Sequence, residues 1–178
     1  FRRSYQFNET DNSNVLLRAE VLNKLNNKKN NIIITYPEAI SEKVIHKTEL
    51  RKKTIKLELN SKLELEILDE LLEKEKFELV DFVTDPGQYS IRGGIIDIFS
   101  FAHEHPYRIE LNEDTIESIR TFDINTQLSV EEQKKVEIIP NTHSKKVITK
   151  KSSFLNYINK DCVLWINDTN YTKGKIDE

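Results

Sequence analysis

The sequence predicts an α/β protein of the mixed α+β kind, with a central, mostly antiparallel twisted sheet, flanking helices and part of an adjoining α/β subdomain. The main observation is the stretch 86–127, where three turn signals separate short runs of β-branched and aromatic residues, as in antiparallel strands joined by tight turns. The turn signals are Pro86-Gly87, Arg92-Gly93-Gly94 and Asn112-Glu113-Asp114. Apolar residues at helical spacing in 15–25 and 63–72 add two helices, and a short apolar run at 32–36 adds a buried strand.

Residues 1–52 are predicted to be part of a first α/β subdomain. Asp11, Asn12 and Ser13 offer N-cap oxygens ahead of a helix over residues 14–26. The run at 32–36 is typical of a strand buried in a parallel sheet, and Pro37 then suits the first position of a short helix over 38–46. We expect Arg51 to Lys53 to be a solvated hinge.

Residues 53–140 are predicted to form a module of their own. Residues 54–59 alternate polar and apolar, as a half-buried strand does, and they either complete a crossover with the preceding strand or, as we prefer, open a new domain. Ser61 and Glu64 have the spacing of a capping box for a helix that ends near Lys76. A strand over 77–83 then leads into the hairpin stretch.

The remainder of the module follows the hairpins. Ile116 and Ile119 are out of phase for one flat strand, which predicts a β-bulge. Residues 128–133 are expected to be a polar connector, and residues 136–140 a last strand that ends at a proline. Residues 141–178 are predicted to be a linker and return segment toward the first subdomain, with a basic run at 145–151, a weak helix near 154–158, a strand over 162–166 and a frayed end.

Composition limits the classes of protein that the chain can belong to. Of its 178 residues, 37% are hydrophobic and 32% charged, and the formal net charge of -3 argues against a general nucleic-acid or membrane-surface binder. The one cysteine, Cys162, excludes an internal disulfide and fits a reducing compartment. No apolar run is long enough to span a bilayer, so we expect a cytoplasmic protein with no membrane partner. Because the chain contains no Met, even at position 1, we expect it to be a piece of a longer protein.

The sequence contains no recognisable catalytic motif. None of its four glycines precedes a Lys-Ser or Lys-Thr pair in the pattern of a phosphate-binding loop, so we expect no nucleotide cofactor in this chain. His103 and His105 lack a third ligand at metal-site spacing, and a solvated loop is the favoured interpretation. Asp97 lies between Ile96 and Ile98; it is either a buried acid or, as base rates favour, the outward member of an alternating strand.

Strand alternation places four charged residues on one face of the predicted sheet, namely Arg92, Asp97, Arg108 and Glu110. This solvated face has two interpretations. The residues form cross-strand ion pairs and nothing more, or the arginines meet an acidic partner surface. If both arginines are buried in internal ion pairs, the first interpretation is favoured, and if they lie exposed side by side, the second is.

The string RGGIIDIFSFAHEHPYRIELNEDTIESIRTFDINTQ, residues 92–127, closely resembles the UvrB-homology module of the bacterial transcription-repair coupling factors, which occurs in modified form in the excision-repair helicase UvrB. The similarity is densest over 77–140, with a weaker match over 4–44. The resemblance implies a UvrA-binding module in which Arg92 and Arg108 contact UvrA, with Asp97 and Glu110 beside them.

The sequence departs from the family at a few positions. The family has an aromatic residue where this chain has Asn112, so the resemblance does not carry a hydrophobic contact over to that position of the interface. Ser100 occupies a position where the family usually has a proline, and Leu128 a position where it often has an arginine. Both differences are interpreted as loop changes.

The resemblance also concerns the parent protein, which is expected to be an ATP-dependent DNA translocase that uses ATP and Mg in motor domains outside this chain. A carboxy-terminal domain of that parent is implied to mask the UvrA-binding surface.

The leading hypothesis is therefore a non-enzymatic fragment of a coupling factor that recruits UvrA to sites of stalled RNA polymerase. The alternative is a nucleic-acid-binding module of a repair helicase, although we expect DNA binding by this chain to be weak or absent. A third class, a fragment of a helicase ATPase core, conflicts with the missing phosphate-binding loop. The nucleic-acid alternative would use two basic clusters and an amino-terminal pair: Arg2, Arg3, Lys28, Lys29, Arg51, Lys52 and Lys53.

Overall fold

A computed structural model describes residues 12–27, 32–142 and 150–177 of the chain. The chain folds into two compact units, one formed by Lys52–Asn141 and the other by Phe1–Arg51 together with Thr142–Glu178. Helices and mostly antiparallel strands occur in both units, so the predicted mixed α+β class is confirmed. Within the described ranges, no helix combines the length and the apolar character that a membrane crossing requires.

The helices of the described residues are α1 (Asn12–Asn27), α2 (Pro37–Ser41), α3 (Lys47–Lys53), α4 (Leu65–Lys74) and α5 (Thr169–Asp177), with a 3-10 helix at Phe154–Tyr157. The strands are β1 (Lys43–Ile45), β2 (Ile55–Glu58), β3 (Glu78–Leu79), β4 (Gln88–Arg92), β5 (Ile95–Ile98), β6 (Tyr107–Asn112), β7 (Thr115–Phe122), β8 (Ser129–Glu132), β9 (Lys135–Ile138) and β10 (Lys151–Ser153).

The larger unit is built on a six-stranded sheet in the order β3-β4-β5-β6-β7-β8. All neighbours in it are antiparallel except β3 and β4, which run parallel. A separate two-stranded ribbon joins β2 and β9. On one face of the sheet the Tyr89 hydroxyl donates to Asp69 of α4 at 2.5 Å, and Tyr89 itself is fully buried. Helix α4 therefore covers that face, and the opposite face carries the arginines.

Tight turns connect the central strands, as the turn signals predict. Arg92 pairs with Ile95 across the two-residue turn Gly93-Gly94, and Gly93 has φ of +61°, a conformation that favours glycine. The β6–β7 hairpin turns at Glu113 and Asp114, where Glu113 adopts φ of +55°.

The predicted β-bulge is also present. Glu110 lies opposite Ser118, but the next residue, Leu111, lies opposite Ile116, so Glu117 is the extra residue of β7. Because of this insertion, Ile116 and Ile119 are both buried although they are three residues apart.

The smaller unit contains a two-stranded sheet in which β1 pairs antiparallel with β10. The Tyr157 hydroxyl donates to the carbonyl oxygen of Ile45 at 2.8 Å and joins the 3-10 helix to β1. That 3-10 helix lies where the sequence predicts a weak helix, and α1 lies where the first helix is predicted.

Several predictions for this unit are wrong. Residues 32–36 are not a strand: Ile32 and Ile34 are almost fully exposed, because no described strand pairs with the run. The helix expected over 38–46 ends at Ser41, since the next residues pair with β10 as β1. Arg51 to Lys53 form the end of α3, so the predicted solvated hinge is helical, although the boundary between the two units does fall between Arg51 and Lys52.

The end of the chain also differs from its prediction. Residues 162–166 are exposed and without regular structure, and the polar end that was expected to fray is helix α5. Its first turn is held by Asp168, whose side chain accepts from the Tyr171 N–H at 2.9 Å. The greater part of the predicted basic run, residues 145–149, lies outside the described residues.

Other predictions for the larger unit need correction. Ser61 is no helix cap, because its hydroxyl donates to the Glu58 carbonyl oxygen in a turn and α4 begins only at Leu65. The strand expected over 77–83 is reduced to β3, which is parallel to β4. Residues 128–133 are not a connector, since β8 pairs with β7. The last predicted strand exists as β9, but it pairs with β2 outside the six-stranded sheet.

Candidate protein-interaction site

The candidate site is centred on Asp97, in the middle of β5. Ser90 lies opposite it on β4 and Arg108 opposite it on β6. Asp97 shares the face of the two arginines, as alternation predicts, but it is buried rather than outward, with only 2% of its side chain exposed. The arginines themselves cover the carboxylate, which explains how an acid on that face leaves solvent. We call the side of the sheet that carries Arg92, Asp97 and Arg108 the arginine face.

Arg92 ends β4 and is the more exposed of the two arginines, with 39% of its side chain accessible. Its Nη2 donates to Asp97 Oδ2 at 2.6 Å, and its Nη1 donates to the carbonyl oxygen of Asp81 at 2.6 Å and to Ser90 Oγ at 3.0 Å. The guanidinium carbon lies 5.3 Å from the ring centroid of Phe82, within cation–π range. These contacts fix the side chain while leaving part of it in solvent.

Arg108 lies deeper, with 15% of its side chain exposed. Its Nε donates to Asp97 Oδ1 at 2.7 Å and its Nη2 to Asp97 Oδ2 at 2.9 Å, the parallel geometry of a bidentate pair. The ring of Phe122 lies 4.2 Å below the guanidinium carbon. Hydrogen bonding to Asp97 raises the pKa of Arg108 above its ordinary value. Arg108 is therefore a fixed cation.

Gln127 is part of this site, although the sequence analysis missed it. Its Oε1 accepts from Arg108 Nη2 at 2.9 Å. The loop before it is closed by Asp123, whose Oδ1 accepts from the N–H and hydroxyl groups of Thr126 and from the N–H of Asn125. These bonds, those from Thr126 first, hold the pKa of Asp123 below its ordinary value. An Asp with Asn and Thr two and three residues after it is a signal for such a turn, but sequence gives no indication that the turn returns to Arg108.

Glu110 belongs to a second ion pair on the same face. It accepts from Ser118 Oγ at 2.8 Å and from both Nη groups of Arg120, which sequence reasoning did not place here. The hydrogen bonds from Ser118 and then from Arg120 hold the pKa of Glu110 below its ordinary value. Asn112 lies apart from both pairs, exposed at the end of β6 opposite Thr115.

The structure thus combines the two interpretations of the charged face. Arg92 and Arg108 lie side by side, and both are paired internally with one buried carboxylate. Two cations share one anion, so the cluster keeps a net charge of about +1 under ordinary conditions. The partly exposed Arg92 directs this charge to solvent, which suits contact with an acidic surface.

Two described residues of the basic clusters, Arg51 and Lys53, are engaged inside the chain, whereas Lys52 is exposed. Arg51 Nε donates to Asn26 Oδ1 at 2.8 Å, and Lys53 Nζ lies 3.0 Å from Glu75 Oε2. Arg2, Arg3, Lys28 and Lys29 lie outside the described residues.

The histidine pair of the 103–105 loop is arranged for local contacts. The Nδ1 of His103 lies 3.0 Å from the carbonyl oxygen of His105, and the His103 ring packs 4.8 Å from that of Tyr107. Over the ranges that the structure describes, no three His, Cys, Asp or Glu side chains come together as a metal site would require.

A family model described as the UvrB interaction domain matches residues 55–144, half of the chain. The chain belongs to the UvrB interaction domain family. All five candidate residues, Arg92, Asp97, Arg108, Glu110 and Asn112, lie inside the matched range. The resemblance of residues 92–127 to the UvrB-homology module is therefore confirmed.

The curated relatives that the chain matches are transcription-repair-coupling factors. The one from Bacillus subtilis is 34% identical over 124 residues, which cover 69% of this chain and 10% of the relative. Those from Rickettsia prowazekii and Borreliella burgdorferi are 38% and 37% identical over 120 and 102 residues, covering 66% and 57% of this chain and 11% and 9% of each relative. The chain thus spans about a tenth of the length of these relatives.

Proposed function

We propose that this chain is the part of a transcription-repair coupling factor that binds UvrA through the arginine face. The observation that carries the proposal is the Arg92–Asp97–Arg108 cluster, found inside the matched UvrB interaction domain. A buried carboxylate holds both guanidinium groups in place, so little side-chain entropy is lost when they bind carboxylates of a partner. The remaining positive charge selects an acidic patch on UvrA.

In the parent protein, this binding recruits UvrA to DNA where RNA polymerase has stalled, and the setting is the cytoplasm. ATP and Mg are needed only by the motor domains of that parent, whereas the present chain acts by contact alone. A carboxy-terminal domain of the parent masks the arginine face until recruitment. The names of the curated relatives support the link between transcription and repair.

The test is the affinity of the purified 178-residue chain for UvrA, measured by calorimetry or biolayer interferometry. Arg92→Ala leaves both Arg108–Asp97 hydrogen bonds in place and should weaken binding about tenfold or more, and the Arg92→Ala/Arg108→Ala double variant should weaken it further. Arg51→Ala is the matched control, since Arg51 contacts Asn26 in the other unit. Unchanged affinity of a double variant that still melts cooperatively would rule the proposal out.

A further inference from the structure

Phe82 is an aromatic residue exposed directly beside the arginine cluster. It is 70% exposed, although phenylalanine is mostly buried in folded proteins, and its only described ring contact is the guanidinium of Arg92 at 5.3 Å. Single exposed apolar residues are common on protein surfaces, so Phe82 alone would need no explanation.

Ile95 gives Phe82 an apolar companion on the same face. It lies opposite Arg92 on one side and opposite Glu110 on the other, so its side chain shares their face, and it is 38% exposed. Arg92 consequently has two exposed apolar neighbours: Phe82, from the segment between β3 and β4, and Ile95, which lies opposite it across the β4–β5 hairpin.

This arrangement corresponds to the anatomy of a protein interface, in which arginine and aromatic residues form the centre. The Tyr89–Asp69 hydrogen bond joins α4 to the far face of the sheet, whereas on the arginine face Arg92, Phe82 and Ile95 reach solvent. At the end of β6, the exposed Asn112 supplies a polar group only.

We propose that Phe82 and Ile95 are the apolar anchors of the UvrA-binding surface, and that they close around the salt link which Arg92 makes to a UvrA carboxylate. The inference rests on the proposed function and adds two residues to it. Excluding water from both sides of the guanidinium strengthens the charged hydrogen bonds, because the surrounding dielectric constant falls. The partner site is accordingly a carboxylate flanked by apolar side chains.

The experiment compares the affinity for purified UvrA of the wild-type chain with that of Phe82→Ser, Phe82→Leu and Ile95→Thr. Phe82→Ser should weaken binding about tenfold and Ile95→Thr several-fold, and Phe82→Leu should keep most of the affinity because it retains an apolar side chain. Ile67→Ser is the matched control, since Ile67 is 51% exposed on α4, the helix that covers the other face. Thermal melts show whether each variant is folded. Because Phe82 is largely exposed, its variants should keep the fold.

The outcomes separate this inference from the proposed function. If Arg92→Ala weakens binding while Phe82→Ser and Ile95→Thr do not, the apolar anchors are ruled out and UvrA binding through the arginines stands. If Phe82→Leu loses as much as Phe82→Ser, the ring acts only by holding Arg92, which also overturns the inference. A loss confined to Phe82→Ser and Ile95→Thr, with Ile67→Ser unaffected, supports it.

Discussion

Asp97 accepts two hydrogen bonds from Arg108, at 2.7 and 2.9 Å, while only 2% of its side chain reaches solvent. A carboxylate removed from water to this extent needs its partners, because an unpaired buried charge is strongly destabilising. The two arginines therefore stabilise the sheet and at the same time are held ready for a partner.

Replacing Asp97 with alanine should lower the free energy of unfolding by about 2–3 kcal/mol, because two clustered guanidinium groups lose their common acceptor. The figure lies below that for a fully buried pair because Arg92 still reaches water. Urea denaturation measures the change. Asp114→Ala is the control, since its pair with Lys62 at 2.9 Å lies in solvent. Equal effects of the two variants would contradict a structural role for Asp97.

Gly87→Ala should destabilise the larger unit more than Gly93→Ala. A Cβ at Gly87 would overlap Cζ of the Phe101 ring, and the backbone there has φ of +90°, so the cost should exceed about 2 kcal/mol. At Gly93, φ is +61° and a Cβ would meet no atom within 4 Å, so only the conformational cost of about 1 kcal/mol remains. Thermal melts of the two variants check the order, and similar losses in the two variants would show that the Phe101 ring moves aside.

Stability should fall in alkaline solution because of two buried tyrosines in the larger unit. Burial, together with Asp69, raises the pKa of Tyr89, and burial together with Glu137 raises that of Tyr107. Because the pKa of each tyrosine is higher in the folded state, its contribution to the free energy of unfolding is fully present below the unfolded pKa of about 10. As pH rises above that value, the contribution is lost by up to about 1.4 kcal/mol per pH unit for each tyrosine. Urea midpoints from about pH 9 to about pH 11 should show the decline.

The same pH series tests the individual tyrosines. Tyr89→Phe and Tyr107→Phe should each flatten the decline, because the substituted position no longer titrates. A slope that neither substitution changes would assign the decline to other groups.

Glu110 makes the opposite contribution, in acid. Its pKa lies below the ordinary value, so the stability it confers is present above the unfolded pKa of about 4.3 and is lost as pH falls toward the folded value. Glu110→Gln should reduce the loss of stability between about pH 5 and about pH 3, as measured by urea midpoints. Glu117→Gln, at an exposed position of the same strand, is the comparison variant, and an equal change of the acid-induced loss in both variants would contradict the assignment to Glu110.

Sequence predicts the hairpins of this fold well because their turns depend on a few neighbouring residues. The Gly93-Gly94 turn and the bulge at Glu117 both follow from local spacing. The burial of Asp97 does not, since it depends on two arginines from other strands and on a loop that returns through Gln127. β8 was missed for a related reason: its residues are polar and exposed, and pairing with β7 makes them a strand.

The run at residues 32–36 shows the reverse failure. Its β-branched composition correctly describes a segment suited to a sheet, but composition does not supply the neighbouring strands. Ile32 and Ile34 are 96% and 95% exposed as a result. A hydrophobic pattern therefore reports what a segment requires, and only the surrounding structure determines whether the requirement is met.

These two isoleucines, together with Trp165 at 95% exposure, affect how the isolated chain behaves as a sample. Exposed β-branched and aromatic segments associate with one another as the protein concentration rises. Light scattering should accordingly detect reversible oligomers of the wild-type chain, and Ile34→Lys should shift them to higher concentration. Affinities for UvrA are best measured at chain concentrations below those at which oligomers form, because self-association would otherwise mimic or obscure formation of the complex.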